Sequence, residues 1–192
     1  MEQIEKKRFT LKEYLLLEEE HQQRFEFHDG EIFGMAGGDP KHSAIATNLL
    51  IAIGDSSKSK DDELRCRSFN SDLKIYIEAF NKILYPDMSV FCGERKRSER
   101  VSSAYINPVL VVEVLSESTA AYDRGDKFRY YMQLPSLQEY VLIEQDQQIV
   151  QTFYKIDKNR WAMELYDKPN AVISFHSIQA EIALEAVYFD VD

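Results

Sequence analysis

Three side chains combine residue type and spacing in a way that suits chemistry on an anionic substrate. They are Asp87, directly after Pro86; Glu113, inside Pro108-Val-Leu-Val-Val-Glu-Val-Leu115; and Lys127, in the segment that follows. The run from Val109 to Leu115 is apolar except for Glu113. Its β-branched content, opening Pro108 and closing Ser116-Glu117-Ser118 predict a buried central strand. Period-2 alternation puts Val109, Val111, Glu113 and Leu115 on one face and Leu110, Val112 and Val114 on the other. A buried lone carboxylate loses hydration worth several kcal/mol unless a cation or hydrogen-bond donors replace it. Either a buried Arg or Lys or a functional site must meet Glu113. Two strand carboxylates beside a lysine can hold a hard cation such as Mg²⁺, whose remaining positions take waters and a substrate phosphate. The cation acidifies water and polarises the phosphoryl oxygen, while the lysine positions that water or offsets developing charge. The residue after Glu113-Val114 is Leu115, so the strand itself carries no lysine.

The elements that must position these groups are legible in order. Thr10-Leu-Lys-Glu13 is a capping box opening a helix to about residue 22, with Leu11, Tyr14, Leu15 and Glu18 along one side. Arg24 to His28 and Glu31 to Met35 predict a hairpin around Asp29-Gly30. Asp39 as N-cap and Pro40 at the first position start a helix whose apolar face carries Ile45, Ala46, Leu49, Leu50 and Ile53. His42 falls in its first turn, as a surface residue or a functional one. Ser56 to Glu63 reads as a polar connection, and Leu64 to Arg67 and Asp72 to Ile77 as strands. Ile83 to Phe91 reads as one strand interrupted by Pro86, which marks an edge, an end or a bulge. Its alternation points Asp87 the same way as Ile83, Tyr85 and Phe91.

Gly93 to Ser103 carries Arg95, Lys96, Arg97 and Arg100 and is a solvated loop or a phosphate-contacting one. Thr119 to Leu134 predicts a helix closed by Pro135. There Lys127 either forms an exposed pair with Asp123 one turn earlier, worth a few tenths of a kcal/mol, or reaches back to the carboxylates. It shares a face with Tyr131. Glu139 to Glu144, Ile149 to Lys155, Arg160 to Tyr166 and Ala171 to Phe175 predict strands, the later ones an added C-terminal β-meander. The tail from Gln179 to Asp192 reads as a short strand and a helical turn.

At 192 residues, with 44% hydrophobic and 12% aromatic content, the chain fits one globular domain over 1–192. No signal peptide or bilayer-spanning run is expected, and a cytoplasmic location follows. Cys66 and Cys92 are too few for a disulfide framework and are expected as reduced thiols. The net charge of −10 argues against broad electrostatic binding of nucleic acid.

Several stretches resemble the Uma-two family of restriction-endonuclease-like proteins. They are Phe25-Glu-Phe-His-Asp-Gly-Glu31, Lys41-His-Ser43, Tyr85-Pro-Asp87, Pro108 to Thr119, Tyr122-Asp-Arg-Gly-Asp-Lys-Phe-Arg-Tyr-Tyr131 and Glu139-Tyr-Val-Leu-Ile143. The similarity spans about residues 10–180. The resemblance implies a restriction-endonuclease-like α/β fold, a mixed sheet flanked by helices, and a metal-dependent nuclease using Mg²⁺ or Mn²⁺. It implies Asp87 and Glu113 as metal ligands and Lys127 in place of the missing strand lysine. Glu26 and His42 join them as pocket residues, and Tyr131 is a further pocket candidate from the helix face it shares with Lys127. The expected substrate is nucleic acid, DNA first, with Arg95, Lys96, Arg97 and Arg100 as candidate phosphate contacts. The rival expectation is a non-catalytic protein-interaction domain that keeps the fold and uses its acidic face. Surplus strand edges and aromatics between Glu139 and Phe175 also predict a homodimer.

Overall fold

The computed structural model describes residues 8–35, 39–56 and 65–191; the expected polar connection at 56–63 falls almost wholly outside them. The chain opens with α1 (Leu11–His21), started by Thr10 and Glu13 in the expected capping box. The hairpin β1 (Phe25–His28) and β2 (Glu31–Gly34) turns at Asp29 and Gly30, both at positive φ. A side chain at Gly30 would also meet the backbone of Phe9, so glycine is required there. α2 (Pro40–Ser56) begins where Asp39 Oδ1 accepts from the Lys41 N–H at 2.8 Å.

Next come β3 (Cys66–Asn70), β4 (Ile75–Ile77), β5 (Lys82–Leu84), β6 (Met88–Cys92) and β7 (Leu110–Leu115). β8 (Glu139–Glu144), β9 (Val150–Lys155) and β10 (Trp161–Tyr166) follow, then β11 (Val172–Phe175), β12 (Ala180–Ala183) and α5 (Leu184–Val187). A six-stranded sheet runs β10-β9-β8-β7-β6-β3, in which only β7 and β8 pair in parallel. A four-stranded sheet runs β2-β1-β5-β4, and β11 and β12 form a separate hairpin. The expected meander is thus split: β8, β9 and β10 extend the main sheet, and β11 turns away from it.

Two apolar layers sandwich the large sheet. Ile45, Leu49 and Ile53 of α2 pack with Leu110, Val112 and Val114 on one face, joined by β11, β12 and α5. Val111 and Leu115 face the other layer, with Ile75, Ile77, Leu84 and Tyr131. All six residues of β7 are buried, as its composition requires.

Three further expectations change. Ile83 to Phe91 is two strands in two sheets: β5 belongs to the four-stranded sheet and β6 to the six-stranded one, with Tyr85, Pro86 and Asp87 crossing between them. Proline has no N–H to give a ladder, so the strand ends there instead of bulging. The helix after β7 is not uniform. α3 (Ala120–Tyr122) and α4 (Phe128–Tyr131) flank a π-helical turn, Asp123–Lys127. Cys66 and Cys92 are joined by a disulfide rather than reduced, because the β3–β6 register sets them directly opposite.

Candidate functional site

Glu113 projects from the middle of β7 on the face of Val111 and Leu115. The π turn brings the next two members to it, widening the helix so that Asp123 and Lys127 are both buried. Such turns recur where a helix must aim side chains at a site. Lys127 Nζ lies 2.9 Å from Glu113 Oε1, 3.4 Å from Asp123 Oδ1 and 3.8 Å from Glu26 Oε1. Glu113 is 2% exposed and Lys127 7%, so this is not the solvated Asp123–Lys127 pair that helical spacing alone offers. Glu26 arrives from β1, where His28 Nε2 sits 3.1 Å from its Oε2.

Asp87 joins from the crossing between the sheets. The β6–β7 ladder stops at Met88 and Val112, and the Val114 N–H donates instead to Asp87 Oδ2 at 2.8 Å. His42, on the first turn of α2, places Nε2 3.1 Å from the same oxygen. The N–H of the residue next to Glu113 therefore sets the position of Asp87, which a continuous strand would have aimed by alternation alone.

The charges are unequal. Burial pushes the Glu113 carboxyl well above the usual carboxylate range; Asp123 and Asp87 add to this, and Lys127 only partly offsets it. Burial works against the Lys127 ammonium, yet Glu113, Glu26 and Asp123 hold its pKa well above the ordinary lysine value. Burial would also raise Glu26, but Lys127 and His28 outweigh it and leave its pKa below normal. The hydrogen bond to Asp87 raises the His42 pKa against the effect of burial. One firmly charged ammonium thus sits among carboxylates, and burial makes Glu113 reluctant to ionise without further positive charge.

These groups line a cleft of about 760 Å³. Its walls are the β1–β2 hairpin, through Phe33 and Met35, and the Ser116–Thr119 turn with Tyr122. Glu113 Oε1 and Asp123 Oδ1 are buried against the Lys127 ammonium, and the buried Tyr122 hydroxyl has no hydrogen-bond partner among the described residues.

Residues 11–186 match the profile of the Uma2 (Uma-two) family, described as "Putative restriction endonuclease". The chain belongs to the Uma2 family. Two Synechocystis proteins resemble it along most of their length. Slr1290 is 37% identical over 176 residues, covering 92% of this chain and 89% of its own. Sll1609 is 34% identical over 166 residues, covering 86% and 92%. A crystal structure from Anabaena variabilis, described as "a putative nuclease belonging to DUF820", superposes with a TM-score of 0.73 at 23% identity. It covers 94% of this chain and 97% of its own, and the shared fold is the restriction-endonuclease-like one.

In this Uma2 chain Asp87, Glu113, Lys127, Glu26 and His42 converge on one cleft. Tyr131 does not line it. Its ring is fully buried behind Lys127, 5.8 Å from the Tyr140 ring, so the face it shares with Lys127 points into the core. Arg95, Lys96, Arg97 and Arg100 lie elsewhere. The guanidinium of Arg95 covers Phe69, that of Arg97 covers Tyr105 and that of Arg100 lies over Tyr76. The Lys96 N–H donates to Asn107 Oδ1. Asp123, Tyr122 and Phe33 are cleft residues that sequence reasoning missed. Asp123 was legible only as an exposed partner of Lys127, since its burial depends on the π turn.

Among the described residues no group of three or more His, Cys, Asp or Glu is arranged to hold a metal ion by itself. Mg²⁺ does not need one, because it keeps several waters and takes one or two carboxylates. Asp87, just before β6 and bonded to the Val114 N–H beside Glu113, lines the same cleft as Glu113, and two such carboxylates fit that requirement.

Proposed function

We propose that this protein is a metal-dependent nuclease that hydrolyses phosphodiester bonds in nucleic acid, with DNA the first substrate to test. The observation that carries this reading is the buried Lys127 ammonium, 2.9 Å from Glu113 and in the same cleft as Asp87. A strand-borne lysine is missing, and the π turn supplies one from the helix. Asp87 and Glu113 would hold Mg²⁺ or Mn²⁺, which supplies acidified water and a polarised phosphoryl oxygen when bound. Lys127 orients the attacking water or a phosphoryl oxygen through its N–H groups and offsets the charge that develops there. Its raised pKa keeps it protonated, so it acts as a hydrogen-bond donor and a positive charge rather than as a base. Glu26 and Asp123 keep it charged and aimed, and His42 holds Asp87 in place.

The test is a cleavage assay over single- and double-stranded DNA and RNA with Mn²⁺. Products should form with Mn²⁺, vanish with EDTA, and vanish in Asp87→Asn and Glu113→Gln. No cleavage of any substrate, or cleavage that persists in both variants, refutes the reading.

One observation favours the rival, a partner-binding domain without catalysis: the net charge of −10. The cost of burying Lys127 and three carboxylates together argues against it, because a domain relieved of catalysis gains stability by losing such groups. We also propose self-association through β10, an edge strand that exposes Met163 and Leu165. A monomer in sedimentation at tens of micromolar, on the order of ordinary assay concentrations, refutes that pairing.

A further inference from the structure

The reacting groups lie at the bottom of the cleft and not on a surface. Glu113 is 2% exposed and Lys127 7%, and the β1–β2 hairpin stands over them as one wall. The chain as a whole carries −10, and the arginines of the 93–103 loop are laid on aromatic rings away from the cleft. A double helix presents its phosphates on a stiff rod and is ordinarily held by many lysines and arginines that release counterions. Neither the depth of these groups nor the charge suits it.

The cleft offers something else. Phe33 on β2 is 44% exposed at its rim, a large apolar ring beside polar reacting groups. It belongs to a row of rings: His28 lies 4.7 Å from Phe33 and 5.9 Å, stacked, from Tyr122. Past His42 and Asp87 the cleft continues into a second hollow of about 320 Å³ that shares Met35, His42 and Asp87 with it. That hollow is lined by the hydroxyls of Ser43 and Thr47 and by Arg24, whose guanidinium reaches Ser71 and Asp72. Sequence-tolerant single-strand sites combine aromatic rings, on which any base can stack, with cations along the backbone path; here Phe33 supplies the ring and Arg24, shared with Asp72, the cation of the second hollow.

We propose that the cleft admits a single strand of nucleic acid and excludes an intact duplex. One base stacks on Phe33, the next phosphate lies over Asp87 and Glu113, and the strand leaves past His42 toward Arg24. This rests on the nuclease reading of the same site and names its substrate class. A single strand can bend into a buried site and be held by stacking, so the acidic surface costs it less than it costs a duplex.

The experiment uses the full chain with Mn²⁺ and end-labelled oligomers: a single strand, the same sequence as a blunt duplex, and the matching RNA strand. Single strands should be cut at least about tenfold faster than the duplex, the RNA arm telling which sugar is accepted. Phe33→Ala should raise KM about tenfold, the scale of one lost base stack, with a smaller effect on kcat, and Phe33→Tyr should retain the wild-type KM. Arg24→Gln should lower the slope of log affinity against log salt by about one. Equal cutting of duplex and single strand, or an unchanged KM in Phe33→Ala, overturns the proposal. An unchanged salt slope in Arg24→Gln overturns the exit path. If nothing is cut, the nuclease reading fails, and anisotropy with the same labelled oligomers decides the rest. Single-strand binding weakened by Phe33→Ala upholds the proposal, and no binding overturns it.

Discussion

Lys127→Met is the perturbation that weighs most. The ammonium it removes lies 2.9 Å from Glu113, 3.4 Å from Asp123 and 3.8 Å from Glu26, at 7% exposure. Met fills most of the same apolar volume, so the effect is electrostatic and little is lost in packing. Taking one partner from a buried ion pair costs about 3–5 kcal/mol, whereas an exposed pair one turn apart costs a few tenths. The loss should also depend on pH. Glu113 already has its pKa raised by burial, Asp123 and Asp87, and Lys127 is the neighbour that lowers it. Without Lys127 its folded pKa rises further. A group with a raised folded pKa contributes fully below its unfolded value, about 4.3 for glutamate, and loses that contribution as pH rises through the folded value. The destabilisation should therefore grow with pH, by up to about 1.4 kcal/mol per unit, wherever wild-type Glu113 is ionised and the variant's is not. Urea unfolding at pH 5 and pH 7.5 measures both effects. Hydrolysis by the folded fraction should fall by about two to four orders of magnitude. Lys127→Arg keeps the charge but should not restore it, because the guanidinium is wider, planar and differently directed. A Lys127→Met variant within about 0.5 kcal/mol of wild type at both pH values, the usual range for surface substitutions, would refute the buried-ammonium account.

Three further outcomes follow from the same geometry. Mn²⁺ should raise the melting temperature of the wild type by mass action and leave Glu113→Gln and Asp87→Asn unmoved; an equal shift in all three places the ion elsewhere. The Cys66–Cys92 disulfide spans 26 residues, and loop-closure entropy for that span corresponds to about 3.5 kcal/mol. Dithiothreitol should lower the urea midpoint accordingly, with no change in Cys66→Ser. Glu139 is buried, which raises its pKa against the donors of Ser177 and His176. Its stabilising contribution is complete at low pH and lost as pH rises, so Glu139→Gln should compare better with wild type at pH 7 than at pH 4. A gap that widens instead, in the same unfolding measurement, contradicts that sign.

What the sequence by itself determined is local. The capping box at Thr10 and Glu13, the Asp29-Gly30 hairpin, the α2 start at Asp39-Pro40 and the buried β7 each depend on residues within a few positions of one another, and each was legible. The three polar residues singled out for chemistry, Asp87, Glu113 and Lys127, were legible for a related reason. A carboxylate in an apolar strand and an aspartate after a strand-breaking proline stand out against their own neighbours. Tertiary structure decided what those residues meet. Whether Pro86 bends one strand or separates two depends on which strands lie alongside, and β1 and β7, far apart in the chain, claim β5 and β6 for different sheets. The same holds for Lys127. A regular helix and a π turn carry the same apolar spacing, and only packing against β7 and β1 leaves Asp123, Lys127 and Glu26 buried together. Cys66 and Cys92 face each other through β3–β6 register, which no count of cysteines contains. Periodicity reports which side of an element turns inward, while pairing between distant elements decides which buried groups become neighbours.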